Sequence, residues 1–239
     1  MYLQDENLIP CPYKNQISSY LQLASQSEPF LIVSDPQSDP RLVLTLMKYQ
    51  FLEYYSVIPL ITDAAFRAAA SLAKRTPHLV EDFVICVLAE HRRGEAAIRD
   101  FMRMGGNEAW ARRRNLTPES TALVGVCRML AEEQHPLSLL SYFVLSGPLS
   151  LALINGAKDA FARPGWIERK YEFLGLQSRV IRARARRLSR LVNACSRDAP
   201  DFTEAIEYGL SCLAAVYPLP IWKGALANAH AELRGEEIR

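Results

Sequence analysis

Between Pro77 and Met104, apolar side chains recur every three or four residues, so that Val80, Phe83, Val84, Val87, Ile98, Phe101 and Met102 fall on one stripe. A stripe with that period faces one way only if the backbone is helical. The pattern returns at Ile181, Leu188, Val192 and Cys195, and again at Phe202, Ala205, Ile206, Leu213 and Val216. Against it stands a single strand-like triplet, Leu31-Ile32-Val33, too short to seed a sheet. The chain therefore reads as all-α, a bundle of seven or more helices whose apolar faces meet in a shared interior.

The punctuation agrees. Asp39-Pro40, Thr76-Pro77 and Thr117-Pro118 each place a capping-type residue before a proline, the order expected at a helix start. His135-Pro136, Ala199-Pro200 and Leu219-Pro220 mark further starts or breaks, and Gly105-Gly106 and Pro164-Gly165 mark turns. Helices are expected over 14–26, 40–57, 59–74, 77–104, 107–114, 118–133, 136–161, 165–196, 200–217 and 220–234. No long linker or fixed-period repeat divides them. Residues 1–239 read as one domain, with 1–38 an N-terminal extension packed on it.

Length and composition fit that reading. The chain has 239 residues, 49% of them hydrophobic, enough for one large core. A net charge of +2 points to no particular partner. The five cysteines, Cys11, Cys86, Cys127, Cys195 and Cys212, form no CxxC pair, and four of them sit among apolar residues as small hydrophobes. A reducing, cytoplasmic setting is expected, and the N-terminus lacks the pattern of a signal peptide. Pro136 to Ala157 carries no charge until Lys158 and is about as long as a bilayer is thick. Its serines, Gly147, Pro148 and Asn155 favour a helix buried in a bundle over a membrane span.

Polar residues on apolar stripes carry the functional signal, because burying a charge is costly unless it is paired. Glu53 shares a face with Leu42, Leu46, Tyr49 and Val57 and should point inward. It reads either as a metal ligand or acid/base carboxylate, or as a glutamate at the bundle's open end or paired with arginine. Glu90 lies at the edge of the 77–104 stripe, with His91 flanking the opposite edge as a boundary histidine or a ligand. Gly94, in mid-stripe, admits a close-packed helix or a ligand. Arg184 falls at the centre of an apolar face between Gln177, Ile181 and Leu188. A buried guanidinium there demands a carboxylate, and Glu53 and Glu90 are the candidates. The neighbouring Arg179, Arg182, Arg186, Arg187 and Arg190 read as a solvated face rather than a nucleic-acid surface, since no aromatics interleave them. Phosphate-cradling glycine loops, HExxH and GxSxG are absent. Four histidines, at 78, 91, 135 and 230, are too scattered for an imidazole cage, and Glu132-Glu133-Gln134-His135 reads as an exposed helix end.

The order of segments resembles the heme-oxygenase-like di-iron oxidases, relatives of thiaminase-type and pyrroloquinoline-quinone-synthase-type helical proteins. Tyr49-Gln50-Phe51-Leu52-Glu53-Tyr54-Tyr55 through Leu60 resembles an early helix of that family. Leu88-Ala89-Glu90 with Phe101-Met102-Arg103-Met104-Gly105 resembles its Glu-bearing helix. Tyr142-Phe143-Val144-Leu145-Ser146-Gly147 is similar to its central kinked helix, and Phe173-Leu174-Gly175-Leu176-Gln177 to the start of its late helix. The resemblance covers roughly residues 40–196. It implies metal ligands that this chain mostly lacks. Glu53 and Glu90 match, but Ala97 replaces a histidine, Ser146 a glutamate, and Gln177, Ile181 and Arg184 the late-helix His, Asp and His.

The expectation is thus a metal-free member of the family, probing no nucleic acid and no membrane. Its small internal pocket is expected at Glu53, Glu90, His91, Ser146, Gln177 and Arg184, with Glu53, Glu90 and Arg184 the catalytic candidates. An Arg–carboxylate pocket suits an acidic or amino-acid-like metabolite, as in bacterial biosynthesis. Two alternatives stand beside it. One is a non-catalytic subunit that forms a homodimer or scaffolds a partner enzyme. The other is an iron-dependent oxygenase with ligands including Glu53, Glu90 and His91.

Overall fold

The computed structural model describes residues 13–132, 135–161, 171–173, 187–188, 190–194, 201–236 and 238. Among these residues there is no strand, and nine α-helices form an all-α bundle. They are α1 (Lys14–Ser25), α2 (Glu28–Ser34), α3 (Pro40–Arg75), α4 (Pro77–Arg103), α5 (Glu108–Arg113), α6 (Pro118–Glu132), α7 (Leu140–Phe161), α8 (Asp201–Val216) and α9 (Leu219–Leu233). A 3-10 turn, Pro136–Leu139, leads into α7.

Helix starts follow the local chemistry. Asp39 accepts a hydrogen bond from the Arg41 amide at 2.9 Å with Pro40 at the first helical position, which opens α3. Asn107 caps α5 through the Trp110 amide, and the Thr117 hydroxyl accepts from the Ser120 amide at the head of α6. Thr76 differs: its side chain makes no cap bond, and the chain bends from α3 into α4 through backbone bonds alone.

One helix boundary is corrected. Residues 40–57 and 59–74 form one helix of 36 residues, with Pro59 inside it. Proline removes one intrahelical donor, and Pro59 lies on the exposed side of the helix, where its ring meets solvent. Leu31-Ile32-Val33 is helical, within α2. It sits behind Ser27 and Pro29 in a short segment whose Phe30 and Val33 reach the core.

Helix α3 is the hub, packing on α4, α6 and α9. Every residue from Leu46 to Tyr54 is buried, so this stretch is enclosed on all sides. Helix α7 is the second centre, packed by α1, α2 and α8. The N-terminal helices supply Ile17, Leu21, Phe30 and Val33 to the same core. By length and composition alone, Pro40–Lys74, Pro136–Leu153 and Asp201–Leu233 are apolar enough to cross a bilayer. Pro136–Leu153 is wholly buried within the protein.

Candidate functional site: two ion-paired glutamates and an open cleft

Glu53 and Glu90 do point inward, and their side chains are almost fully excluded from solvent (2% and 0% exposed). Each has its own arginine. Glu90 accepts from Arg93, one helical turn on, at 2.6 Å, and from the Tyr142 hydroxyl at 3.1 Å. Arg93 is as buried as its partner and also reaches Ser150 at 3.4 Å. Its guanidinium lies 5.3 Å from the Phe173 ring centre and 6.0 Å from that of Tyr54. Burial works against the charge on Arg93, but Glu90 and the surrounding tyrosines outweigh it and hold its pKa above the ordinary value. Burial likewise drives the Tyr142 and Tyr217 hydroxyls well above theirs, so both stay neutral.

Glu53 is held from the loop between α5 and α6. Arg114 donates to one carboxylate oxygen, and Thr117 and Ser120 hydroxyls donate to the other. The carboxylate thus meets the first turn of α6, where the helix dipole favours a negative charge. Arg114 is itself buried, stacked 5.7 Å from the Trp110 ring centre.

A third buried acid, Asp100, lies one turn before the end of α4. It accepts the backbone N–H groups of Glu172 and Phe173 at 3.0 and 2.7 Å and pairs with Arg103 at 2.7 Å. That cap seats Phe173 against Phe51 and Tyr54, each 5.2 Å between ring centres, and over Arg93.

The described arginines on Glu53 and Glu90 are Arg114 and Arg93, neither of which stood out in the sequence. Arg184 and Gln177 lie outside the described residues. His91 is exposed, its Nδ1 3.3 Å from the Thr62 hydroxyl, because it is turned away from Glu90 on the opposite side of α4. Ser146 and Ala97 are buried. A Cβ on Gly94 would make only ordinary contacts with Ile58 and Pro59, so packing against α3 does not require a glycine there. Of the arginine-rich face, Arg187 and Arg190 approach Asp82 on α4. One signal for the missed residues was available: Cys86, Arg93 and Asp100 are spaced by heptads along α4, and all three are buried.

Iron does not fit these residues. Its donors would be Glu53 and Glu90, yet each is saturated by an arginine, and a cation beside each carboxylate opposes a divalent ion. Among the described residues no three His, Cys, Asp or Glu side chains come together as a metal site.

A cleft of about 460 Å³ opens between the first third of α3, the turn after α4, the start of α5 and the end of α9. Lys48, Tyr49, Phe101, Gly105, Gly106, Asn107, Trp110, Glu232 and Ile238 line it. The Glu232 carboxylate takes both the Lys48 ammonium and the Tyr49 hydroxyl. Burial, reinforced by Glu232, raises the Tyr49 pKa far above the usual phenol range, while Arg114 pulls the other way. The guanidinium of Arg114 is thus close behind two lining residues, Tyr49 and Trp110. The turn needs its glycines: Gly105 has φ +88, and a Cβ on Gly106 would lie 2.2 Å from the Phe101 ring. No protein-family model, no characterised protein and no solved structure matches the chain.

Proposed function

We propose that this protein binds a small acidic or amino-acid-like molecule in the cleft between Lys48 and Trp110, without metal. The observation that carries the reading is the make-up of that cleft. One wall is aromatic, from Phe101 and Trp110, and the other carries the Lys48–Glu232 pair with the Tyr49 hydroxyl. Apolar walls with a few converging polar groups are what small-molecule sites share, and about 460 Å³ lies within their usual range of roughly 300–1,000 Å³. In this reading Glu53 and Glu90 are structural. They anchor α3 and α4 to their neighbours and take no part in acid–base chemistry. The proposed kinship is to the heme-oxygenase-like bundles, as a metal-free relative acting in cytoplasmic biosynthesis.

A thermal-shift screen of amino acids and small organic acids tests it, run on the wild type and on Trp110→Ala. Ligands that stabilise the wild type should lose their effect in the variant. Hits that survive Trp110→Ala unchanged, or no hits at all, overturn the reading. A second reading, a non-catalytic subunit of a larger enzyme, is favoured by the saturation of both interior glutamates. It predicts no hits and co-purification with a catalytic partner or a second copy.

A further inference from the structure

Lys48 and Tyr49 are neighbours in the most enclosed part of α3, and their positions are fixed by a helix buried on every side. Together they present an ammonium and a hydroxyl to the cleft, the donors that a carboxylate needs. The carboxylate they hold comes from a different kind of place. Glu232 stands in the last turn of α9, its side chain 34% exposed against 10% for Lys48. Just beyond it the chain turns at Gly235, with φ +71.

We infer that Glu232 is an internal stand-in for the ligand's own carboxylate, which displaces it from Lys48 and Tyr49 when the ligand enters. This rests on the cleft being the binding site. The rigid donors form the receptor half, and the exposed acid at a helix end forms the exchangeable half. Removing Glu232 without replacement would strand a nearly buried ammonium, so the site demands an anion at all times. A ligand carboxylate satisfies that demand equally and adds what Glu232 lacks, an apolar body laid on Trp110 and Phe101. Arg114, which contacts Trp110 from outside the cleft lining, is already paired with Glu53, so the charge selectivity of the cleft rests on Lys48 and Tyr49. The ligand class is therefore a monocarboxylate with a flat or apolar body. The exchange makes the empty protein self-competing: its apparent affinity is set by how readily Glu232 lets go.

Two fluorinated probes separate the possibilities by ¹⁹F NMR titration: 4-fluorophenylacetate and its uncharged amide. Glu232→Gln removes the competing charge and keeps a hydrogen-bonding side chain. It should tighten the acid by roughly tenfold and leave the amide unchanged. Lys48→Met should abolish the preference for the acid over the amide. If Glu232→Gln folds poorly, Glu232→Asp withdraws the carboxylate by one methylene and should give a smaller gain of the same sign. Acid binding that is unchanged or weakened by these Glu232 variants overturns the inference, while the cleft reading survives if Trp110→Ala still removes binding. Failure of both probes to bind the wild type and every variant overturns the cleft reading and the inference with it.

Discussion

Arg93 illustrates how a single residue decides what a buried carboxylate is for. With Arg93 in place, Glu90 is a neutralised strut between α4 and the Tyr142 hydroxyl of α7. Without it, Glu90 loses its ion-pair partner on α4. Breaking such a pair from one side costs about 3–5 kcal/mol, whereas replacing both partners by apolar residues of similar size is often close to neutral. Arg93→Met should therefore lose about that much stability in urea unfolding, and Glu90→Leu combined with Arg93→Met should recover most of it. Additive losses in the double variant would show that the two side chains act separately. Residue-scale burial was partly legible in the sequence, since helical phase placed Glu53 inside and Glu90 at the edge of an apolar stripe. Their partners were not. Arg114 sits in a short loop with no periodicity to read, and Arg93 was hidden beside Gly94, although its heptad spacing to Cys86 and Asp100 was a usable clue.

At the scale of elements, α3 and α4 form the backbone of the bundle, and glycines report how closely helices approach. Gly94 and Gly209 look alike in sequence and differ in space. A Cβ on Gly94 would sit 3.5 Å from the Ile58 side chain, an ordinary contact, while one on Gly209 would sit 2.6 Å from the Ser138 carbonyl and 2.3 Å from the Ser141 hydroxyl. Gly94→Ala should therefore stabilise the protein by about 0.5–1 kcal/mol, since alanine is the better helix former. Gly209→Ala should destabilise it by about 1–3 kcal/mol through overpacking against the 3-10 turn. Thermal unfolding of the two variants checks both signs, and a shared sign would contradict the packing described. Element positions were largely legible, because capping residues before prolines announce helix starts. The continuity of α3 was not, because a proline's tolerance depends on which side of the helix meets solvent, and that is decided by tertiary packing.

For the molecule as a whole, polar groups are divided between a sealed interior and an open cleft. The interior tyrosines Tyr142 and Tyr217, and Tyr49 at the cleft, have pKa values raised by burial. Below the ordinary tyrosine value of about 10, folded and unfolded chains hold these protons alike. Above it the unfolded chain releases them and the folded chain keeps them, so stability falls as pH rises past that point. Absorbance at 295 nm should show the buried tyrosines ionising only together with loss of helical circular dichroism. Smooth ionisation of all ten tyrosines with helicity intact would contradict a sealed interior. The all-α bundle could be read from periodicity, but the cleft could not, because it joins Lys48, Trp110 and Glu232, residues far apart in the chain. The central claim is that the interior glutamates are structural. Iron content after anaerobic Fe(II) loading and desalting tests it most directly. Arginine-saturated carboxylates predict that essentially no iron is retained. Stoichiometric, tightly held iron would mean that Glu53 and Glu90 exchange their arginines for metal, and would contradict the account.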